Sequence, residues 1–263
     1  MMEKLNIDGL GKVILVASGK GGVGKSTVAA NLALSLSAQG KKTALLDADI
    51  FGPSVPVMFG LENTAAQIIE REGKQLIRPV NKFGIDILSI GFFVNGKDAL
   101  IWRGPMASNT LTQLLETTDW QENEFLVIDL PPGTSDIQLT IIQKLHIAGS
   151  LLVTTPQNVA LADVRKAANM FLKEDINVPV FGVIENMSYF VPASHPDEKY
   201  FLFGEGGGNA IAKELGIELL GQIPIVKDIC DAGDLGKPEY LNQNEIVKSV
   251  FDKISLQIIN QCN

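Results

Sequence analysis

Residues 13–27 read Val13-Ile14-Leu15-Val16-Ala17-Ser18-Gly19-Lys20-Gly21-Gly22-Val23-Gly24-Lys25-Ser26-Thr27. An apolar run of this length and β-branched content is the pattern of a buried strand. A helix is expected over about 25–39, with Gly40 as its stop signal. Strand, glycine-rich loop and helix in direct succession constrain the fold more than any other segment of the chain. The same alternation continues. Further strands are expected at 43–46, 85–90, 125–129, 150–154, 180–184 and 221–224, and helices at about 105–116, 134–145, 161–172 and 209–215. Continuous apolar strands alternating with helices predict an α/β fold, a mostly parallel sheet with helices on both faces.

The loop itself carries chemistry. Gly19, Gly24, Lys25 and Ser26 satisfy G-x-x-x-x-G-K-[ST] between a strand and a helix, the context a phosphate-binding loop requires. Glycines let the backbone curl so that successive N–H groups of Gly19, Lys20, Gly21, Gly22, Val23, Gly24, Lys25, Ser26 and Thr27 can face phosphate oxygens, and the helix N-terminus adds partial positive charge. Lys25 is expected to reach the β- and γ-phosphates, and the Ser26 hydroxyl to coordinate Mg2+. The fold is therefore read as a P-loop NTPase. A competing pattern, G-x-G-x-x-G at Gly19, Gly21 and Gly24 with Asp47 ending the next strand, would bind a dinucleotide. That alternative has no use for Lys25-Ser26 and predicts no second Mg2+ carboxylate, whereas Asp129 ends an apolar strand just before Pro131-Pro132-Gly133. Asp47 and Asp49 stand where a strand enters a loop, at the sheet edge where ligands bind, so both are candidates to hold a metal-bound water or orient the attacking one.

Composition bounds the rest. With 263 residues, 46% apolar and 20% charged, the chain has the makings of a folded core. One domain over 1–263 is expected, since no linker rich in Pro, Ser or charge divides it. The stretch 62–79 reads as a small hairpin insertion. A C-terminal helix over about 244–259 has apolar residues Ile246, Val247, Val250, Phe251, Ile254, Ile258 and Ile259, spaced to dock on the body. Cys230 and Cys262 are too few and too far apart for a disulfide framework or a metal-ligand spacing, which suits a reducing cytoplasm. The start lacks a signal-peptide pattern, and no apolar run approaches the ~20 residues that span a bilayer. A net charge of −8 with no evident basic face argues against a nucleic-acid partner, and the polar face of the tail is not basic enough for a membrane surface.

Longer motifs carry a family resemblance. The loop with its extra lysine, Lys20, looks like the deviant phosphate loop of the MinD/ParA class of ATPases. Asp47-Ala48-Asp49-Ile50-Phe51-Gly52-Pro53-Ser54-Val55-Pro56 resembles the first switch of the Mrp/ApbC family of iron–sulfur cluster carrier ATPases. Trp102-Arg103-Gly104-Pro105-Met106, Asp129-Leu130-Pro131-Pro132-Gly133-Thr134-Ser135-Asp136, Glu185-Asn186-Met187-Ser188-Tyr189-Phe190 and Phe203-Gly204-Glu205-Gly206-Gly207 resemble that family too. The resemblance implies an ATP-hydrolysing homodimer that serves apoprotein clients of iron–sulfur assembly. It implies that Lys20 crosses the dimer interface to the partner's phosphates, that Asp49 positions the attacking water, and that Asp129 and Gly133 sense the γ-phosphate. It also implies that Asn186 binds the adenine. From the residues alone, the absence of an Asn-Lys-x-Asp arrangement after Asn186 favours ATP over GTP.

One segment departs from the resemblance. Members that bind a cluster carry Cys-x-x-Cys shortly after Met-Ser-Tyr-Phe. Here Pro192 and His195 take those positions, in a loop that continues through Asp197, Glu198 and Lys199 to Tyr200. Thiolates are the soft ligands that iron–sulfur centres prefer, and proline can ligate nothing. The usual cluster ligands are absent. Two function classes follow: a carrier or assembly ATPase for iron–sulfur proteins, and a MinD/ParA-like positioning or partner-loading ATPase without a cluster.

Overall fold

The computed structural model describes residues 4–5, 7–93, 104–120, 123–192, 194–195, 198–242 and 244–263. Its strands are β1 (Leu10–Ser18), β2 (Thr43–Asp47), β3 (Gln67–Arg71), β4 (Lys74–Arg78), β5 (Val80–Lys82), β6 (Ile85–Ser89), β7 (Asn123–Asp129), β8 (Ile147–Thr154), β9 (Val180–Glu185) and β10 (Glu218–Gln222). Its helices are α1 (Lys25–Ala38), α2 (Val55–Met58), α3 (Gly104–Thr117), α4 (Asp136–Lys144), α5 (Asn158–Phe171), α6 (Gly207–Leu215), α7 (Lys227–Asp234) and α8 (Glu245–Cys262). The main sheet runs β10-β9-β8-β1-β7-β2-β6-β5. All its pairs are parallel except β5 with β6, an antiparallel edge.

The strands are apolar on both faces because both faces are covered. In β1, Val13, Leu15 and Ala17 point to a core shared with α3, α4, α5 and α6. Ile14 and Val16 point to the opposite core, shared with α1 and α8. This two-residue alternation is the pleat of the strand. On the second face α8 lies along α1. Val247, Phe251, Ile254 and Ile258 are buried there, and Ser35 Oγ donates to Ser255 Oγ at 2.9 Å. Most of the apolar stripe of the tail is thus spent on the body, while Ile246, expected to dock with it, stays exposed in the first turn of α8. Among the described residues no helix is long and apolar enough to cross a membrane.

Some elements differ from the expectations: β8 begins at Ile147 rather than 150, α8 runs on to Cys262, and the short α2 and β5 are additional. The last strand is Glu218–Gln222 rather than 221–224, because Pro224 has no N–H to give a ladder. The helix expected from 161 begins at Asn158, directly after the extended Gln157. Residues 67–78 form an antiparallel hairpin apart from the main sheet, turning through Glu72 and Gly73, both at positive φ as a type I′ turn demands. Trp102 and Arg103 lie outside the described residues.

β1 sits between β7 and β8, so chain connections leave in opposite directions on its two sides. That reversal opens a crevice at the carboxyl ends of the strands. The phosphate loop follows β1 directly into this crevice.

Candidate functional site: a phosphate loop ringed by strand-end carboxylates

The loop leads straight into α1, whose first turn carries no acidic residue and whose cap, Gly24, offers no side chain. The helix N-terminus is therefore left to an incoming anion. Gly24 has a φ of 82°, and a Cβ there would lie 2.1 Å from Asn186 Nδ2. Only glycine meets both demands. Ser18, Lys20, Gly21, Gly22, Gly24, Lys25, Ser26 and Thr27 line a cleft of about 230 Å³ together with Asp49, Ser54, Met58 and Pro132.

The carboxylates arrive from strand ends. Asp129, the last residue of β7, is fully buried and forms an ion pair with the buried Lys25 ammonium. Its second oxygen, Oδ2, is buried with no hydrogen-bond partner. Burial pushes the Asp129 carboxyl above the usual carboxylate range, while Lys25 and Ser26 oppose that rise. Asp47, the last residue of β2, is also buried. It accepts from the Asp49 N–H at 3.1 Å, the Val55 N–H at 3.2 Å and the Ser89 hydroxyl at 3.1 Å. Burial first, then the charge of Asp129, pushes Asp47 up to about 7. Asp47 thus pins both ends of the loop 49–54 and does not face the cleft as an open ligand. Asp49, half-buried, does line the cleft. Burial raises its carboxyl, and Lys25 and the N–H groups of Phe51 and Gly52 pull it back.

The remaining expected residues converge on the same place. Gly133 donates its N–H to the Ser18 carbonyl at 3.1 Å, which sets the segment after Asp129 against the root of the loop. The Asn186 side chain donates to the Val23 carbonyl at 2.9 Å. Lys20 is half-exposed at the mouth of the cleft, with no carboxylate at ion-pair distance among the described residues. Sequence reasoning missed Ser89, which holds Asp47, and Glu185, which is buried beside Asn186. Glu185 ends an apolar strand as its single polar residue, the signal that singled out Asp129, whereas β6 also carries Asp86 and gives Ser89 no such signal.

The donor set suits Mg2+. The orphaned Asp129 Oδ2, the Ser26 hydroxyl and the Asp49 carboxylate are all hard oxygen ligands. A soft metal centre finds less. In the segment expected to bear the cysteine pair, Phe190 and Tyr200 exchange backbone hydrogen bonds of 2.8 Å and close a short hairpin. Within it the His195 N–H bonds the Pro192 carbonyl at 3.0 Å, and the His195 ring is exposed, 2.9 Å from Ser194 Oγ. Ala193, Pro196 and Asp197 lie outside the described residues. Cys230 falls in α7, with its side chain outside the description. Cys262 is at the opposite, amino-terminal ends of β1, β7 and β8, in a larger cavity of about 590 Å³ beside Leu10, Lys12 and His146. Among the described residues no group of three or more His, Cys, Asp or Glu could hold a metal ion.

A family model described as NUBPL iron-transfer P-loop NTPase, of the ParA class, matches residues 9–259. The chain belongs to this family. Relatives of the NUBPL-family chain bear matching names. An iron-sulfur cluster carrier protein of Aquifex aeolicus is 46% identical over 264 residues, covering 98% of this chain and 71% of its own length. An iron-sulfur cluster transfer protein NUBPL of Dictyostelium discoideum is 45% identical over 261 residues, covering 99% and 79%. Among solved structures, a nucleotide-binding protein of Archaeoglobus fulgidus in complex with ADP superposes with a TM-score of 0.76 at 38% identity, covering 89% of this chain and 90% of its own. The cell division ATPase MinD of Pyrococcus furiosus shares the fold, with a TM-score of 0.65 at 20% identity over 95% and 99% of the two chains. The NUBPL-family NTPase is therefore a P-loop protein with a mostly parallel sheet, as its strand pattern predicts.

Proposed function

We propose that this chain is a single-domain, Mg2+-dependent ATPase that works in the cytoplasm as a nucleotide-switched homodimer and delivers iron–sulfur clusters to apoprotein clients. The observation that carries the reading is the junction of a phosphate-loop site with kinship, along nearly the whole of this chain, to iron–sulfur carrier and transfer proteins.

The residues divide the work as follows. The N–H groups of 19–27 take the phosphates. Lys25, now on Asp129, moves to the β- and γ-phosphate oxygens, trading one anion for another. Bound by Ser26, Asp49 and Asp129, Mg2+ supplies neutralisation of phosphate charge. Asp49 orients the attacking water, and Lys20 of one protomer reaches the phosphates of its partner. Gly133, whose N–H now donates to the Ser18 carbonyl, responds to the γ-phosphate by exchanging that bond for one to a phosphate oxygen. Asn186 contacts the adenine from the floor of the loop. A cluster on this dimer must use ligands other than a Cys-x-x-Cys pair.

One observation favours a second reading, a positioning or partner-loading switch with no cluster: Pro192 and His195 stand where the thiolates belong. Anaerobic reconstitution with iron and sulfide, followed by absorbance, iron analysis and transfer to an apoprotein, separates the two. Bound iron that leaves for the apoprotein in a nucleotide-dependent way is the expected result. No cluster and no transfer, with or without ATP, would sink the carrier reading.

A further inference from the structure

At the end of β9 the chain turns through Glu185, Asn186, Met187 and Ser188. Met187 has a φ of 55°, in the left-handed region where a side chain carries a steric cost. Such a conformation persists only where the surroundings impose it. Backbone bonds fix the flanks: the Asn186 N–H donates to the Thr154 carbonyl at 2.8 Å and the Ser188 N–H to the Ile223 carbonyl at 2.9 Å.

Glu185 supplies a side-chain constraint. It is fully buried. Its Oε1 accepts from the Ser188 hydroxyl and from Gln222 Nε2, the latter at 2.8 Å. Its Oε2 accepts from the Gly208 N–H in the first turn of α6. A Cβ at position 208 would lie 2.8 Å from that oxygen, so the helix can approach only with glycine there. The Glu185–Ser188 bond closes the turn across Met187. On its other side the turn presents Asn186 to the Val23 carbonyl, in the space a Gly24 Cβ would need.

We propose that Glu185 and Ser188 form a clamp that keeps Met187 in its strained conformation and so sets Asn186 as a strut beneath the phosphate loop. Glu185 is then a positioning residue for nucleotide binding. The inference rests on the nucleotide reading above and adds to it how the loop is held ready. With the clamp opened, Met187 relaxes to negative φ, the Asn186 amide withdraws from Val23, and affinity falls through lost preorganisation.

The test is ADP binding by calorimetry, alongside thermal unfolding of the nucleotide-free protein. The variants are Ser188→Ala, Glu185→Gln, Met187→Gly and the Met187→Gly/Ser188→Ala pair. Ser188→Ala leaves Glu185 two donors and should weaken ADP about ten-fold, the scale of one hydrogen bond to a charged group. Glycine accepts left-handed φ freely, so in the Met187→Gly background the serine change should cost less than about two-fold. A serine with a merely structural role would cost the same in both backgrounds. If Glu185→Gln does not fold, the serine and glycine variants still decide the matter. Wild-type protein that binds ADP while Ser188→Ala binds it equally well overturns the clamp. Equal losses in both backgrounds overturn it too. Wild-type protein that does not bind ADP overturns the nucleotide reading itself, and the clamp with it.

Discussion

Replacing Lys25 by methionine keeps most of the buried stem and removes the charge. The structure sets the size of the effect. Lys25 is 6% exposed and Asp129 is fully buried, so the variant leaves a carboxylate without its cation and out of water. Breaking a buried pair on one side costs about 3–5 kcal/mol. That is a large part of the roughly 5–15 kcal/mol that holds a domain folded. Protonation limits the loss. With Lys25 gone, Asp129 and Asp47 face each other as like charges, and burial already raises both. Their folded values then rise further above the unfolded value. Stability is present where the pair is protonated and is lost as pH rises. The deficit against wild type should therefore be largest near about pH 8 and shrink toward about pH 5. Urea unfolding of nucleotide-free protein, followed by far-ultraviolet circular dichroism at several pH values, measures it. Adding Asp129→Asn should recover most of the stability and none of the turnover. A Lys25→Met protein that loses under about 1 kcal/mol near pH 8, or loses equally at both ends, would refute the reasoning.

Three further outcomes are expected. Asp47, held near 7 when folded against 3.8 unfolded, binds more protons in the native state across that window. Nucleotide-free wild type should lose stability as pH rises from about 4 to about 7, and Asp47→Asn should flatten that stretch of the urea-midpoint profile; an unchanged profile would mean that Asp47 is ionised throughout. Lys20→Ala should keep ADP affinity within about two-fold while turnover falls about ten-fold or more. Turnover in wild type should rise per protomer with protein concentration, and normal hydrolysis by Lys20→Ala would remove the cross-interface role.

How legible the site was in the sequence varied with the range of the interaction. The phosphate loop could be read from spacing alone, because glycine, lysine and serine serve the ligand within nine consecutive positions. Asp129 was readable because a lone acid closing an apolar strand has little structural reason to be there. Asp47 was read as a possible ligand, but its oxygens are occupied by Val55, Asp49 and Ser89, and no local pattern discloses that hydroxyl 42 positions away. The Asn186 contact with Val23 spans 163 positions and depends on β9 lying two strands from β1. The four-residue helix at Val55–Met58 was likewise invisible, being too short for a period and held by Asp47 at its first N–H. The strand cores were legible and their ends less so, as with β10, where the apolar run continues past the last ladder bond toward Pro224.

The placement of β1 has a consequence for how the protein is made. On one side Leu10 pairs with Asn123, and on the other Val13 pairs with Ile147. Ribosomes add about 5–20 residues per second, so the first strand waits on the order of ten seconds for either neighbour. During that interval it offers water an apolar surface on each side, the kind of segment that holdase chaperones retain. On the proposed site ATP cannot shorten the wait, since Asp129 and Asn186, assigned there to the nucleotide, belong to chain not yet synthesised. Truncated products ending before residue 123 should therefore accumulate as chaperone clients rather than as partly active enzyme.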